Sequence, residues 1–198
     1  RVGTVTGGGT NTIALGSNTT FSTGLIYSDQ DVANDGTADK FVIAYFEGSS
    51  NALKLYARVG SVSGTTITYG TAVEIAGENQ ANYPRHMSLE YHEAAGKFLI
   101  CYRKGGDDDT VLKSFSRSGD TITNVGSETV LRYNEGISQS CGNYDPLNKR
   151  VLFFRHPGTS SSRCNGGAAD LLQSSMALDL STGSYFAADL QNGGTSHI

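Results

Sequence analysis

The stretch between Tyr27 and Phe41 reads SDQDVANDGTADK and sets Asp31, Asp35, Gly36 and Asp39 in a D-x-x-x-D-G-x-x-D frame. Carboxylates crowded at this spacing suit a hard cation that takes six to eight oxygen ligands, and the glycine lets the loop double back. Asp29, Asp31, Asn34, Asp35 and Asp39 are therefore the candidate ligands of a calcium ion. The competing reading is a polar hairpin loop held by local side-chain hydrogen bonds to its own backbone. Corresponding turns elsewhere, YHEAAGKF and YDPLNKRV, need six residues where this one has thirteen, so the acids lie in an insertion.

The remaining candidates are weaker. His86, His92, His156 and His197 have neither H-x-x-x-H spacing nor paired cysteines, which argues against zinc and for histidines in turns or on strand surfaces. Asp107, Asp108 and Asp109 could supply the paired acids of glycoside cleavage, but consecutive side chains diverge, and a Gly-Gly turn makes them a solvated hairpin tip. There is no G-x-S-x-G elbow and no phosphate loop. Cys101 sits in FLICY as a small apolar residue, while Cys141 and Cys164 form either a disulfide or two thiols. Asn18-Thr19-Thr20 is the single sequon for N-linked glycosylation, which has meaning in a eukaryotic or archaeal source.

The elements that must position these residues repeat. FVIAY at 41–45 returns as FLICY at 98–102 and as VLFFR at 151–155, 57 and then 53 residues apart. RVGTV at Arg1 returns as RVGSV at Arg58, and GTTIT at Gly64 as GDTIT at Gly119. A period of about 55 residues marks a tandem array. With 25 glycines and 17% charged residues, the composition suits many short strands joined by tight turns. The second repeat reads as four strands, 86–92, 97–104, 110–117 and 121–132, divided by Ala95-Gly96, Gly105 to Asp108 and Ser118-Gly119-Asp120. FLICY is apolar on both faces, as a middle strand sandwiched between neighbouring sheets would be.

The expected fold is all-β, a β-propeller-like array of four-stranded antiparallel blades in a single domain. Its parts are a partial blade at 1–23 holding strands three and four, blades at 24–83 and 84–135, and a degenerate blade plus the start of another at 136–198. A chain that opens in mid-repeat and stops as another begins reads as a piece of something longer. A net charge of −4 argues against a nucleic-acid partner, and no run of 18 apolar residues is present to span a membrane.

An acidic turn followed by KFVIAY, a variable hairpin and ARVGSVSGTTITYGTAVEI resembles the tandem repeats of phage tail-fibre and structural proteins, and of secreted surface or appendage proteins of aquatic microbes and algae. The resemblance covers nearly the whole chain, though 164–198 fits poorly. It implies a structural or adhesive role in an extracellular filament, appendage or virion tail, with self-association and no catalytic residues. The acidic stretch resembles the calcium loops of integrin-type propellers, except that Ala33 stands where a ligand is normally found.

Two further functions belong to other classes: a glycan-binding lectin-like propeller and a carbohydrate-active propeller enzyme. A lectin would repeat an aromatic platform at one position, yet Tyr69 gives way to Asn124 and Tyr56 to Phe115 or a neighbour. An enzyme would need acids that converge at a channel mouth, and none recur. The expectation is thus a non-enzymatic, extracellular or virion-surface module.

Overall fold

The computed structural model describes residues 1–6, 12–49, 52–77, 87–105, 109–132, 137–145, 147, 150–157, 173–179 and 184–190. They form antiparallel strands and one 3₁₀ turn, Glu93–Ala95. A hairpin of β1 (Gly3–Thr6) and β2 (Thr12–Leu15) comes first. The next sheet runs β3 (Ile26–Ala33), β4 (Lys40–Ser49), β5 (Ala52–Ser63) and β6 (Thr66–Tyr69), with β7 (Val73–Ala76) also on β5. The following sheet repeats this plan with β8 (Met87–His92), β9 (Lys97–Arg103), β10 (Thr110–Ser118) and β11 (Thr121–Thr123), plus β12 (Thr129–Arg132) on β10. A last sheet takes β13 (Ile137–Asp145), β14 (Arg150–Pro157), β15 (Gln173–Asp179) and β16 (Ser184–Leu190) in order. FVIAY, FLICY and VLFFR are thus the second strand of three successive sheets.

The sheets stack face to face because their second strands are apolar on both sides. Val42, Ala44 and Phe46 of β4 share one buried cluster with Phe98, Ile100 and Tyr102 of β9. The opposite face of β9 packs Leu99 and Cys101 with Leu112 and Val151, and Tyr144 of the last sheet closes over them. Alternation along a strand sends neighbouring side chains to opposite faces, so β4 turns 42, 44 and 46 toward the following sheet, whereas β9 turns 98, 100 and 102 back toward β4 and 99 and 101 toward the last sheet. Each fully buried large apolar side chain contributes about 1.5–3 kcal/mol, and β9 alone buries five residues in succession, Phe98 to Tyr102.

The repeat extends to irregular details. The register of Gly3↔Leu15 through Thr6↔Thr12 in the first hairpin is that of Gly60↔Tyr69 through Ser63↔Thr66 in the next sheet. Gly64 and Gly119 close the corresponding turns with φ of +57° and +58°, a conformation that costs a side-chain-bearing residue about 1–2 kcal/mol. In both sheets the outer strand breaks in two, and register shifts recur beyond the break, at Leu55/Tyr56 against β7 and at Thr110/Val111 against β12.

That break corrects the expected single strand over 121–132. Asn124 turns to φ +52° and Gly126 then donates its N–H to the Ser114 carbonyl at 2.8 Å, so the chain re-pairs as β12. The last unit carries a four-strand meander and, among the described residues, no counterpart of β7 or β12. Among the described residues the sheets form an open stack and do not close on themselves.

Candidate functional site

The acidic stretch lies at the seam between the β3–β7 sheet and the β8–β12 sheet. Strand β3 continues through Ala33, because Gln30 to Ala33 pair in register with Tyr45 to Val42. Asp29 and Asp31 are therefore strand residues, and only 34–39 forms a loop. Asp31 reaches across the seam: the Leu89 N–H donates to its Oδ2 at 2.8 Å, and the Val32 N–H to its Oδ1 at 2.8 Å. Leu89 belongs to β8, an edge strand, so the carboxylate satisfies a backbone donor that the ladder leaves open.

Asp35 also points into the seam. Its carboxylate pairs with the Arg117 guanidinium, with side chains only 9% and 12% exposed, and accepts the Thr37 N–H at 3.0 Å. Asn34 accepts the Gly36 N–H at 2.6 Å and donates to the Lys40 carbonyl, as the competing polar-loop reading expects. Asp39 is exposed with φ +62°, and its carbonyl accepts the Val62 N–H at 2.8 Å. Among the described residues no three His, Cys, Asp or Glu side chains gather in one group. Asp31 and Asp35 each turn one oxygen to the neighbouring sheet and the other to a nearby backbone N–H.

A second seam feature joins Asp120, in the turn before β11, to the β4–β5 pair. Ser61 Oγ donates to Asp120 Oδ1 at 2.8 Å, and Lys40 Nζ bonds both Ser61, at 2.7 Å, and Asp120. The hydrogen bonds from Lys40 and Ser61 hold the Asp120 carboxyl below its ordinary range. The turn seats against Gly70, where a Cβ would come within 1.9 Å of the Asp120 carbonyl oxygen. The seam before it is built alike: a Cβ on Gly16 would lie 2.1 Å from the Thr65 carbonyl oxygen in the corresponding turn. Gly16, Gly70 and Gly126 are equivalent, since their N–H groups donate to Val2, Val59 and Ser114 at 3.0, 2.9 and 2.8 Å.

Glu90 is the other acid at this seam. Burial first, and then the charge of Asp31, pushes its carboxyl above the ordinary range. Tyr102 is wholly buried and donates to Glu128 Oε1 at 2.9 Å, while Lys104 Nζ bonds Oε2 at 2.9 Å. Burial and then Glu128 push the Tyr102 hydroxyl far above its ordinary range, so it serves only as a donor. For Glu128 itself burial acts upward, but the bonds from Lys104 and Tyr102 prevail and its carboxyl lies low.

An aromatic cluster covers the backward face of the β3–β7 sheet. Phe21 meets Tyr45 at 5.1 Å and Tyr69 at 6.2 Å, Phe41 meets Tyr69 edge-on at 6.1 Å, and Tyr45 stacks on Tyr56 at 6.1 Å. Arg58 lies 5.6 Å from the Tyr69 ring centre and donates to the Gly70 carbonyl at 2.8 Å and to the Phe21 carbonyl. The next sheet does not repeat the cluster. Phe115 pairs with Phe98 where Gly60 pairs with Phe41, so Phe115 replaces Gly60, and Tyr56 corresponds to Val111.

His92 is fully buried, against its expected place on a surface; its Nδ1 accepts the Ala95 N–H at 3.2 Å and its ring lies 5.3 Å from that of Tyr144. Asp109, expected at a solvated tip, is buried with the Lys104 N–H donating to its carbonyl at 2.7 Å. Cys101 is buried between the sheets and Asn18 is exposed. Cys141 and His156 lie on β13 and β14. His86, Asp107, Asp108, Cys164 and His197 fall outside the described residues. The Asp35–Arg117 pair and the Tyr102–Glu128–Lys104 group had no sequence signal, whereas the glycines 16, 70 and 126 recur 54 and 56 residues apart and were readable.

No helix of the described residues is long and apolar enough to cross a membrane. Comparisons with protein-family models, with curated proteins and with solved structures found no match.

Proposed function

We propose that the chain is a non-enzymatic structural and adhesive module of an extracellular filament, appendage or virion tail fibre, arranged as a propeller-like stack of units. The observation that carries this reading is the repeated seam, in which a turn of one sheet seats on a glycine of the sheet before it, twice in succession. Polar side chains that could do chemistry, Asp31, Asp35, Arg117 and Asp120, are committed to joining sheets. Such groups fix the relation between units, as a structural element requires, and leave little for turnover. Self-association through further units of the same kind follows from the same face-to-face packing, because stacking repeats bury a continuous core.

The test is electron microscopy of native material labelled with an antibody raised against the chain. Label along filaments, tails or cell-surface appendages supports the reading; label confined to a soluble, dispersed protein contradicts it.

A glycan-binding reading is favoured by one observation, the half-buried rings of Phe41, Tyr56 and Tyr69 beside Arg58, since aromatic faces are suited to stacking on sugar rings. A glycan array separates the two: specific retention that Tyr56→Ala removes makes adhesion carbohydrate-directed.

A further inference from the structure

We infer that Asn18 is an acceptor for an N-linked glycan and that the glycan shields the outer edge of the first hairpin. The inference rests on the extracellular reading given above, and its test is independent of it. Asn18-Thr19-Thr20 is the only sequon in the chain. The structure puts it where a transferase can reach: Asn18 and Thr20 are exposed and belong to the irregular segment between β2 and β3, not to a strand ladder. Among the described residues the Oδ1 of Asn18 accepts from Arg1 Nε in a surface-exposed hydrogen bond, for which water can readily substitute. The corresponding segment of the next sheet, after Gly70, forms β7 and carries no sequon.

The chemistry balances with one co-reactant, a glycan carried on a lipid phosphate. Asn18 Nδ2 bonds to the anomeric carbon of the first sugar as the bond from that carbon to the phosphate oxygen breaks. The lipid phosphate leaves with the electron pair, and the amide gives up one proton to a base of the transferase. The Thr20 hydroxyl supplies the second recognition element of the sequon.

The position gives the glycan a use. Among the described residues β2 pairs only with β1, and Leu15, two residues before Ser17, is 60% exposed beside the site. An open strand edge with an exposed apolar residue invites pairing with other chains. A bulky, hydrated glycan three residues from Leu15 covers both.

The chain is to be secreted from a eukaryotic host in fusion with a carrier whose own sequon is occupied, then examined by intact mass before and after endoglycosidase treatment. The inference expects one additional glycan, absent from Asn18→Gln and Thr20→Ala and kept in Thr20→Ser. It also expects stronger light scattering from Asn18→Gln, and from the enzymatically deglycosylated chain, than from the glycosylated protein at equal concentration. Occupied carrier with bare Asn18, or a glycan that survives Asn18→Gln, overturns the site. Equal scattering with and without the glycan overturns the shielding role. An intracellular location for the native protein would defeat the extracellular reading and leave the acceptor result standing.

Discussion

Replacing Gly70 by alanine is the sharpest probe of the seam between the β3–β7 and β8–β12 sheets. The added Cβ would stand 1.9 Å from the Asp120 carbonyl oxygen, and real Cβ contacts essentially never fall below 3.0 Å, so strand and turn must part by at least 1.1 Å. Both sides are backbone, and neither can rotate away as a side-chain tip would. Overpacking of this kind costs about 3 kcal/mol. Separation also weakens the Lys40–Asp120 ion pair, but Asp120 is 57% exposed and such pairs contribute little, so steric strain decides the outcome. For a chain of this size the loss corresponds to a fall in Tm of roughly 6–12 °C. Gly126→Ala is the matched control at the equivalent position, where a Cβ would meet Ser114 Oγ at 3.1 Å, a group that can turn aside, and the Ser114 carbonyl oxygen only at 3.3 Å. Thermal unfolding followed by circular dichroism should show a large drop for Gly70→Ala and a small one for Gly126→Ala. Equal shifts for the two, or none for Gly70→Ala, would refute the glycine seat.

Glu90→Gln should raise Tm at pH 7 and leave it unchanged near pH 3. The Glu90 carboxyl is raised in the folded chain by burial and by Asp31, so its penalty is absent below the unfolded value and grows as pH rises through the folded one; a Tm gain that persists in acid contradicts this. Arg117→Met removes one partner of a nearly buried pair and strands the Asp35 carboxylate, a loss of about 3–5 kcal/mol in chemical denaturation, which Asp35→Asn in the same chain should partly restore. Leu99→Ala opens a cavity between the last two sheets and should cost about 2–5 kcal/mol; less than 1 kcal/mol would mean the face is not packed. Because Asp31 and Asp35 have protein partners, chelation of divalent ions should leave Tm unmoved, and a chelator-induced fall reversed by calcium would return those acids to a metal.

The fold was legible where local chemistry and periodicity agree. The doubly apolar FVIAY, FLICY and VLFFR segments declare a strand buried on both faces, and Gly64 and Gly119 mark equivalent turns. What escaped is what depends on distant residues. Asp31 reads as a loop residue because its place in a strand depends on β3 running on to Ala33 in register with β4, and its partner, the Leu89 N–H, is 58 residues away in the backbone. His92 reads as a surface residue because its burial under Tyr144 is decided by the next sheet. The outer strand over 121–132 reads as continuous because Asn124 carries no obligate turn signal, whereas its φ of +52° breaks the ladder. The same limit holds for function, since a repeated seam is visible as recurring glycines but its partners are not.

Native-state hydrogen exchange resolved by strand tests the stacked arrangement most directly. With both faces of β9 covered, the amides of Phe98 to Tyr102 should open only with global unfolding and exchange orders of magnitude more slowly than those of the outer strands β6 and β11. Exchange of Phe98 to Tyr102 at the rate of Thr66 to Tyr69 would contradict a sheet buried on both sides, and with it the account of the chain as a stack of repeating units.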